Sequence, residues 1–271
     1  MSTAPSSVSV SPLLEVMIDA AAAAGEGLQE DFARLSSLEI EYKLGPDPVT
    51  AADRRAEATV RKMLSDARPD YGFLGEEGGM VSGRDEEHLW IVDPLDGTVN
   101  FLFGLPLFAV NVALARQGKV IAGVTHVPLL KETFWAEEGS GAWLNGRPIS
   151  VSGRDGLINA VLGVGIPFAG KPRHEQFLAE MERLTPNVTG IRRLGAGAID
   201  MAYVACGRFD AYWEQSVSAW DMAAGIVIVE EAGGIVTGTL GQPIDLHGGT
   251  VLASTPQLHA ELLEALAPVD G

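Results

Sequence analysis

Five short apolar segments between residues 88 and 151 constrain the fold of this chain most strongly. They are rich in β-branched and aromatic residues and alternate with polar turns, which is the pattern of neighbouring β-strands. We predict strands at residues 88–92, 108–115, 120–127, 132–136 and 142–151. The last folds back at Asn145-Gly146, a dipeptide that favours a tight turn. Strands clustered in this way predict a mainly antiparallel sheet.

In the segments on either side, apolar residues recur with a different spacing. Apolar residues recur every three or four positions from Leu13 to Leu35, which predicts a long helix that ends by Gly45-Pro46-Asp47-Pro48, and a second helix begins at Thr50. After residue 152 helices alternate with strands. Strands are predicted at residues 160–166, 190–193, 210–214, 235–237 and 251–254, and helices at 173–184, 198–205, 219–232 and 257–266.

The fold class that follows is α/β (α+β), a layered α-β-α-β-α sandwich with a mainly antiparallel N-terminal sheet and a mixed C-terminal sheet. No repeat or low-complexity tract interrupts the pattern. We therefore expect an N-terminal α+β half, residues 11–151, and a C-terminal α/β half, residues 152–271, which together form one compact unit.

Charge and cysteine content restrict the partners and the compartment. The 271 residues include 19 Lys and Arg against 36 Asp and Glu, a net charge of −17, which disfavours nucleic acid and membrane surfaces as partners. Cys206 is the single cysteine, and no basic residue precedes Arg34, so a secretory signal is not expected. The longest apolar run, residues 101–115, is interrupted and shorter than the roughly 20 residues that a bilayer requires. We expect a cytoplasmic protein.

The segment most informative about chemistry is a predicted strand that ends in Asp93-Pro94-Leu95-Asp96-Gly97-Thr98. Two carboxylates about 5 Å apart repel each other by roughly 3 kcal/mol at an effective dielectric constant near 20. A cation, a shared proton or solvent must offset that repulsion. The alternative is that both aspartates only accept hydrogen bonds from turn amides.

Three further segments occur together with this one: residues 47–53, the Gly75-Glu76-Glu77-Gly78-Gly79 segment, and the Trp220-Asp221 segment up to Gly225. In combination they resemble the inositol monophosphatase family of magnesium-dependent, lithium-sensitive phosphomonoesterases, from about residue 11 onward. The resemblance implies two or three Mg²⁺ ions per active site. Their ligands would be Glu76, Asp93, the carbonyl of Leu95, Asp96 and Asp221.

The resemblance also implies catalytic and substrate-binding residues. Asp53 and Thr98 would orient and help deprotonate the attacking water, with Glu76 as a further catalytic residue. The substrate would contact Asp96, Gly97, Thr98, Gly195, Ala196, Glu214 and Asp221. Relatives often carry Ser or Thr where Ala196 stands, so the identity of the polyol stays open.

Simpler roles stay open for several of these residues. Thr50-x-x-Asp53 also fits a plain helix cap. Asp221 would also favour a helix dipole at the start of the predicted helix, and Glu214 would also fit an exposed strand end. The five histidines are scattered, so no zinc site is expected.

The expected activity is hydrolysis of a small phosphate monoester by direct, two-metal attack of water, with inositol 1-phosphate as the first choice. Histidinol phosphate and fructose 1,6-bisphosphate are alternatives. An aspartyl-phosphate mechanism is disfavoured, because two residues rather than one separate Asp93 from Asp96. A non-catalytic, regulatory binding protein is the alternative from another class. The resemblance also implies a homodimer that acts on a small phosphorylated polyol or sugar.

Overall fold

The computed structural model describes residues 10–35, 40–42, 48–167 and 172–268, with 40–42 and 48–50 described by their backbone alone. The helices are α1 (Pro12–Phe32), α2 (Ala51–Ala67), α3 (Thr98–Leu102), α4 (His174–Leu184), α5 (Gly197–Ala205), α6 (Ala219–Glu231) and α7 (Pro256–Ala265).

The strands before residue 150 are β1 (Ile40–Tyr42), β2 (Pro48–Thr50), β3 (Tyr71–Gly75), β4 (Gly79–Val81), β5 (Asp85–Asp96), β6 (Ala109–Arg116), β7 (Lys119–Val127), β8 (Glu132–Glu137), β9 (Ala142–Leu144) and β10 (Arg147–Ile149). The later strands are β11 (Val161–Val164), β12 (Gly190–Arg192), β13 (Ala211–Val217), β14 (Ile235–Thr237) and β15 (Gly249–Ser254).

Two large sheets and three helix layers confirm the predicted sandwich. The first sheet has the order β10-β9-β8-β7-β6-β5-β3-β4 and is antiparallel except for the β3–β5 pair. The second has the order β12-β11-β13-β15-β14 and mixes parallel with antiparallel pairs. Strands β1 and β2 form a separate antiparallel pair.

Alternation along the strands explains the layers, because successive side chains of a strand point to opposite faces. On the first sheet, Trp90 and Val92 pack against α1 and α2, whereas Ile91 faces the core shared with α5 and α6. On the second sheet, Tyr212 belongs to that same central core, and Trp213 packs with α4 and α7. Helices α5 and α6 therefore lie between the two sheets.

The structure corrects several predicted boundaries. Helix α1 ends at Phe32, and residues 40–42 form a strand, so the helix does not continue to the Gly45–Pro48 break. Strands β3 and β4 were not predicted, since Tyr71–Gly75 and Gly79–Val81 are short and rich in glycine. The predicted cap on Thr50 involves a side chain outside the described residues. Within the described part of the chain, no helix is both long and apolar enough to cross a bilayer.

Candidate active site

A bulge at the carboxyl end of β5 directs both of its aspartates into one cleft. Asp93 is paired with Asn111 and Asp96 with Ala109, so three steps along β5 match two along β6. In a regular strand, residues three apart point to opposite faces. The extra residue reverses that alternation, and both carboxylates line a cleft of about 400 Å³. The structure therefore places Asp93 and Asp96 within the strand rather than after it.

Parallel pairing of β3 with β5 brings Glu76 to the same edge. Gly75 is in register with Val92, and the amide of Glu76 continues the ladder by donating to the carbonyl of Val92 at 3.2 Å. Glu76 and Asp93 are therefore neighbours across two parallel strand ends, and both line the cleft.

Two acids enter the cleft from elements later in the chain. Asp221 lies in the first turn of α6, where its Oδ2 accepts a hydrogen bond from the Ser218 amide at 2.7 Å. Glu214 lies on β13 beside a second bulge, because Glu214 pairs with Val251 and Val217 with Gly249. The helix-dipole role considered for Asp221 is thus compatible with its position in the cleft.

Hydrogen bonds join segments that are far apart in the sequence at the cleft. Oδ2 of Asp96 accepts from the amide of Ala198, in the first turn of α5, at 2.8 Å. The buried amide of Asn100 donates to the carbonyls of Leu107 at 2.7 Å and Leu194 at 2.8 Å. These contacts hold the Gly195–Ala196 segment against Gly97, whose φ of 94° is in the left-handed region that glycine tolerates.

Burial and mutual repulsion raise the pKa values of the clustered acids. Burial raises the pKa of Asp93 well above its ordinary value, and the charges of Glu76, Asp96 and Asp221 raise it further. Burial and then Asp221 raise the pKa of Asp96 to about 8, although its bond from Ala198 acts in the opposite direction. Such a cluster favours any ligand that brings positive charge.

The donor set fits a hard divalent cation. Carboxylates and backbone carbonyls are oxygen donors of the kind that Mg²⁺ takes, and no histidine or cysteine is among the described residues that line the cleft. Within the described chain, no three His, Cys, Asp or Glu side chains are drawn together as tightly as a closed metal site. The acids therefore share a cleft, which also has room for a substrate.

Thr98 connects the cleft to Asp53. The Thr98 hydroxyl lies 3.1 Å from the carbonyl oxygen of Leu95 and 3.4 Å from Oδ1 of Asp53, and it lines the cleft. Asp53 is 1% exposed in the first turn of α2 and is not among the lining residues, so it lies behind Thr98. Thr98 and Asp53 are therefore close together, as predicted, and the Thr98 hydroxyl lies between Asp53 and the cleft.

The other predicted substrate contacts are in the same cleft. Gly97, Gly195, Ala196 and Glu214 all line it. Glu214 lies directly over Gly165, where an added Cβ would be 2.1 Å from its carboxylate. The exposed strand end considered for Glu214 is therefore wrong, because the side chain points into a half-buried cleft.

Three buried polar residues of the site were not predicted: Asp200, Tyr212 and Glu57. Asp200 lines the cleft at 1% exposure, and its Oδ1 accepts no hydrogen bond from the described residues. Burial, and then the charges of Asp96 and Glu214, raise the pKa of Asp200 well above its ordinary value. The Tyr212 hydroxyl donates to Glu214. The sequence could have indicated that Glu57 is buried, because this residue falls on the apolar stripe of α2.

Comparison with known proteins places this site in a family. The model of the inositol monophosphatase family matches residues 9–269. The chain is 48% identical over 253 residues to the inositol-1-monophosphatase of Caulobacter vibrioides, covering 92% of this chain and 99% of that one. It is 41% identical over 261 residues to the Nus factor SuhB of Pseudomonas aeruginosa, covering 95% and 96%.

A solved structure shares the same fold closely. The extragenic suppressor protein suhB of Bartonella henselae superposes with a TM-score of 0.93 at 43% identity, covering 96% of this chain and all of the other. Matches of this extent in sequence and structure agree with the acidic cleft described above. The chain belongs to the inositol monophosphatase family of phosphomonoesterases.

Proposed function

We propose that this protein hydrolyses a small phosphate monoester in the presence of Mg²⁺ by direct attack of water, with inositol 1-phosphate as the first substrate to test. The observation that carries the proposal is that Glu76, Asp93, Asp96 and Asp221 line one cleft beside Thr98. The name of the Caulobacter relative supports the choice of substrate.

The proposed ligands are Glu76, Asp93, the Leu95 carbonyl, Asp96 and Asp221. Two or three bound Mg²⁺ ions would offset the charge of the phosphate and stabilise the attacking and leaving oxygens. A chain with a net charge of −17 repels phosphate. Cations bound by these acids would offset that repulsion.

Thr98 and Asp53 are proposed to handle the proton of the attacking water. The Thr98 hydroxyl accepts a hydrogen bond from water and donates its own proton toward Asp53, whose Oδ1 is 3.4 Å away. The water oxygen then bonds to phosphorus while the bond from phosphorus to the leaving oxygen breaks. The leaving oxygen takes a proton from solvent and departs as the alcohol, and Asp53 returns its proton to solvent. The amides of Gly97 and Thr98 are proposed to donate to the phosphate.

The far end of the cleft is proposed to bind the alcohol part of the substrate. Glu214 would accept hydrogen bonds from hydroxyls of a polyol or sugar, with the backbone of Gly195 and Ala196 opposite. Ala196 contributes no hydroxyl of its own, which leaves histidinol phosphate and fructose 1,6-bisphosphate as alternatives for the same panel.

The test is an assay of phosphate release from these three monoesters with Mg²⁺, with EDTA, and with Mg²⁺ plus Li⁺. We expect release that requires Mg²⁺, is fastest with inositol 1-phosphate, and falls in millimolar Li⁺. If none of the three monoesters releases phosphate in excess Mg²⁺, the proposal is contradicted.

A second candidate is a non-catalytic regulatory role, favoured by the finding that a relative 41% identical to this chain is named Nus factor SuhB. Affinity capture would test it with the wild type and an inactive Asp93→Asn variant side by side. Capture of one protein partner by both forms, together with no phosphatase activity in the wild type, would favour this role.

The proposed homodimer is tested by light scattering, which measures the molar mass of the protein in solution.

A further inference from the structure

Glu57 makes a polar contact with two backbone amides near the cleft that the proposed function does not use. Its side chain is 6% exposed on α2, and its two carboxylate oxygens accept separate hydrogen bonds. Oε2 accepts from the amide of Glu77 and Oε1 from the amide of Gly78, each at 2.8 Å. One carboxylate thus spans two consecutive amides of the turn between β3 and β4.

That turn also carries Glu76. On one side, the Glu76 amide is fixed by the carbonyl of Val92 at 3.2 Å. On the other side, the next two amides are fixed by Glu57. The backbone is therefore held by hydrogen bonds at Glu76 and at the two residues that follow it. The carboxylate of Glu57 thus constrains the backbone conformation directly after β3.

The glycines of the turn make room for this carboxylate. A Cβ at Gly75 would lie 2.4 Å from Oε2 of Glu57, and a Cβ at Gly78 would lie 2.7 Å from Oε1. Side chains at these two positions would displace the carboxylate, so its position depends on glycine at both Gly75 and Gly78.

The position of Glu57 on α2 links this anchor to the other side of the site. Asp53 and Glu57 are four residues apart, so they lie on the same face of the helix, and both are buried. A buried carboxylate is costly unless hydrogen bonds satisfy it, and Glu57 has one for each oxygen. The helix thus presents one carboxylate toward Thr98 and one toward the turn of Glu76.

We propose that Glu57 is a positioning residue that holds the Glu76 turn in the conformation that binds Mg²⁺. This inference rests on the proposed function, because it assumes that Glu76 is a metal ligand. Glu57 itself would not touch the metal or the substrate.

The test compares Mg²⁺ binding by the wild type and Glu57→Gln, using calorimetric titration with MgCl₂ alone. The amide of Gln can accept only one of the two hydrogen bonds, and losing a bond to a charged group is expected to weaken binding about tenfold. Hydrogen exchange in the metal-free protein supplies a second readout. We expect at least one of the amides of Glu77 and Gly78 to exchange about tenfold faster in Glu57→Gln, as open amides do.

The matched control is Glu77→Gln, which removes one negative charge from the same turn and keeps the amide that Glu57 binds. It should keep the wild-type exchange rates, and it should weaken Mg²⁺ binding less than Glu57→Gln. Equal weakening in both variants would show that only charge matters and would overturn the proposal.

A second variant, Gly78→Ala, tests the same contact if Glu57→Gln does not fold. Its new methyl group would displace Oε1 of Glu57, so it should also weaken Mg²⁺ binding. Unchanged binding and exchange in either variant would overturn the proposal for Glu57 alone. A wild-type chain that takes up no Mg²⁺ would overturn this proposal together with the proposed function.

Discussion

The hydroxyl of Tyr212 donates a hydrogen bond to Oε2 of Glu214, two residues farther along β13. Burial raises the pKa of Tyr212 well above its ordinary value, so the phenol keeps its proton and remains a donor. Gly197 lies beside this bond, where a Cβ would come within 2.6 Å of the hydroxyl. The direction of the Glu214 carboxylate is therefore fixed before any substrate arrives.

Tyr212→Phe should weaken binding of the alcohol part of the substrate. A hydrogen bond contributes about 0.5–1.5 kcal/mol net, so we expect KM for inositol 1-phosphate to rise about two- to tenfold. Phenyl phosphate, which has no hydroxyls for Glu214, should keep its kcat/KM. The control is Tyr203→Phe, a tyrosine on α5 outside the cleft lining. An equal loss with both substrates would argue against this role.

Asp93→Asn and Asp200→Asn should differ sharply although both carboxyls are 1% exposed. Asp93 is proposed to bind the metal, so its variant should lose about a thousandfold in kcat, as expected when a metal contribution is removed. Burial raises the pKa of Asp200 and so favours its neutral form, and the amide of Asn has nearly the same shape as that form. We expect at most a few-fold loss for Asp200→Asn. Thermal unfolding of both variants checks that the fold is intact.

Metal-free protein should lose stability as the pH rises from about 4 to 8. The pKa of Asp96 is raised from 3.8 to about 8, so in this range the native chain holds a proton that the unfolded chain has lost. Mg²⁺ should displace that proton and reverse the trend. Melting temperatures at several pH values in EDTA and in Mg²⁺ measure both effects. A melting temperature in EDTA that rises between pH 6 and 8 would contradict the raised pKa.

Two glycines of α1 provide a matched test of packing. Gly27 is exposed and an added Cβ meets nothing within 4 Å, so Gly27→Ala should stabilise the protein by about 0.5–1 kcal/mol. A Cβ at Gly25 would lie 2.6 Å from Cδ2 of His126, so Gly25→Ala should destabilise it. Denaturant unfolding measures both changes. Similar effects of the two substitutions would show that helix propensity outweighs the contact with His126.

Local patterns predicted most of the fold. Strand β14 is observed as expected, and β7 and β8 differ from their predicted ranges by one residue, because each is a short run of mostly apolar residues bounded by turn residues. Strands β3 and β4 were missed because they are short and rich in glycine. Gly75 makes room for the carboxylate of Glu57, which is eighteen residues away in sequence. The division into two halves stays a prediction.

The acids of the site were identified by resemblance, but their geometry was not predictable. Spacing alone would place Asp93 and Asp96 on opposite faces of a strand, and only the pairing with β6 reveals the bulge that unites them. Asp200 and Tyr212 carried no local signal, because their roles depend on the packing of α5 against β13. Such long-range contacts are absent from any short window of sequence.

The bond from Ala198 to Asp96 spans 102 positions of the chain, and it has a consequence for biosynthesis. A ribosome releases the N-terminal residues first. Asp93 and Asp96 therefore leave the exit tunnel long before the helices that complete their surroundings, and Asp221 follows later still. A nascent or prematurely terminated chain that lacks α6 carries the repelling acids without Asp221, one of the proposed ligands, so we expect no phosphatase activity from it.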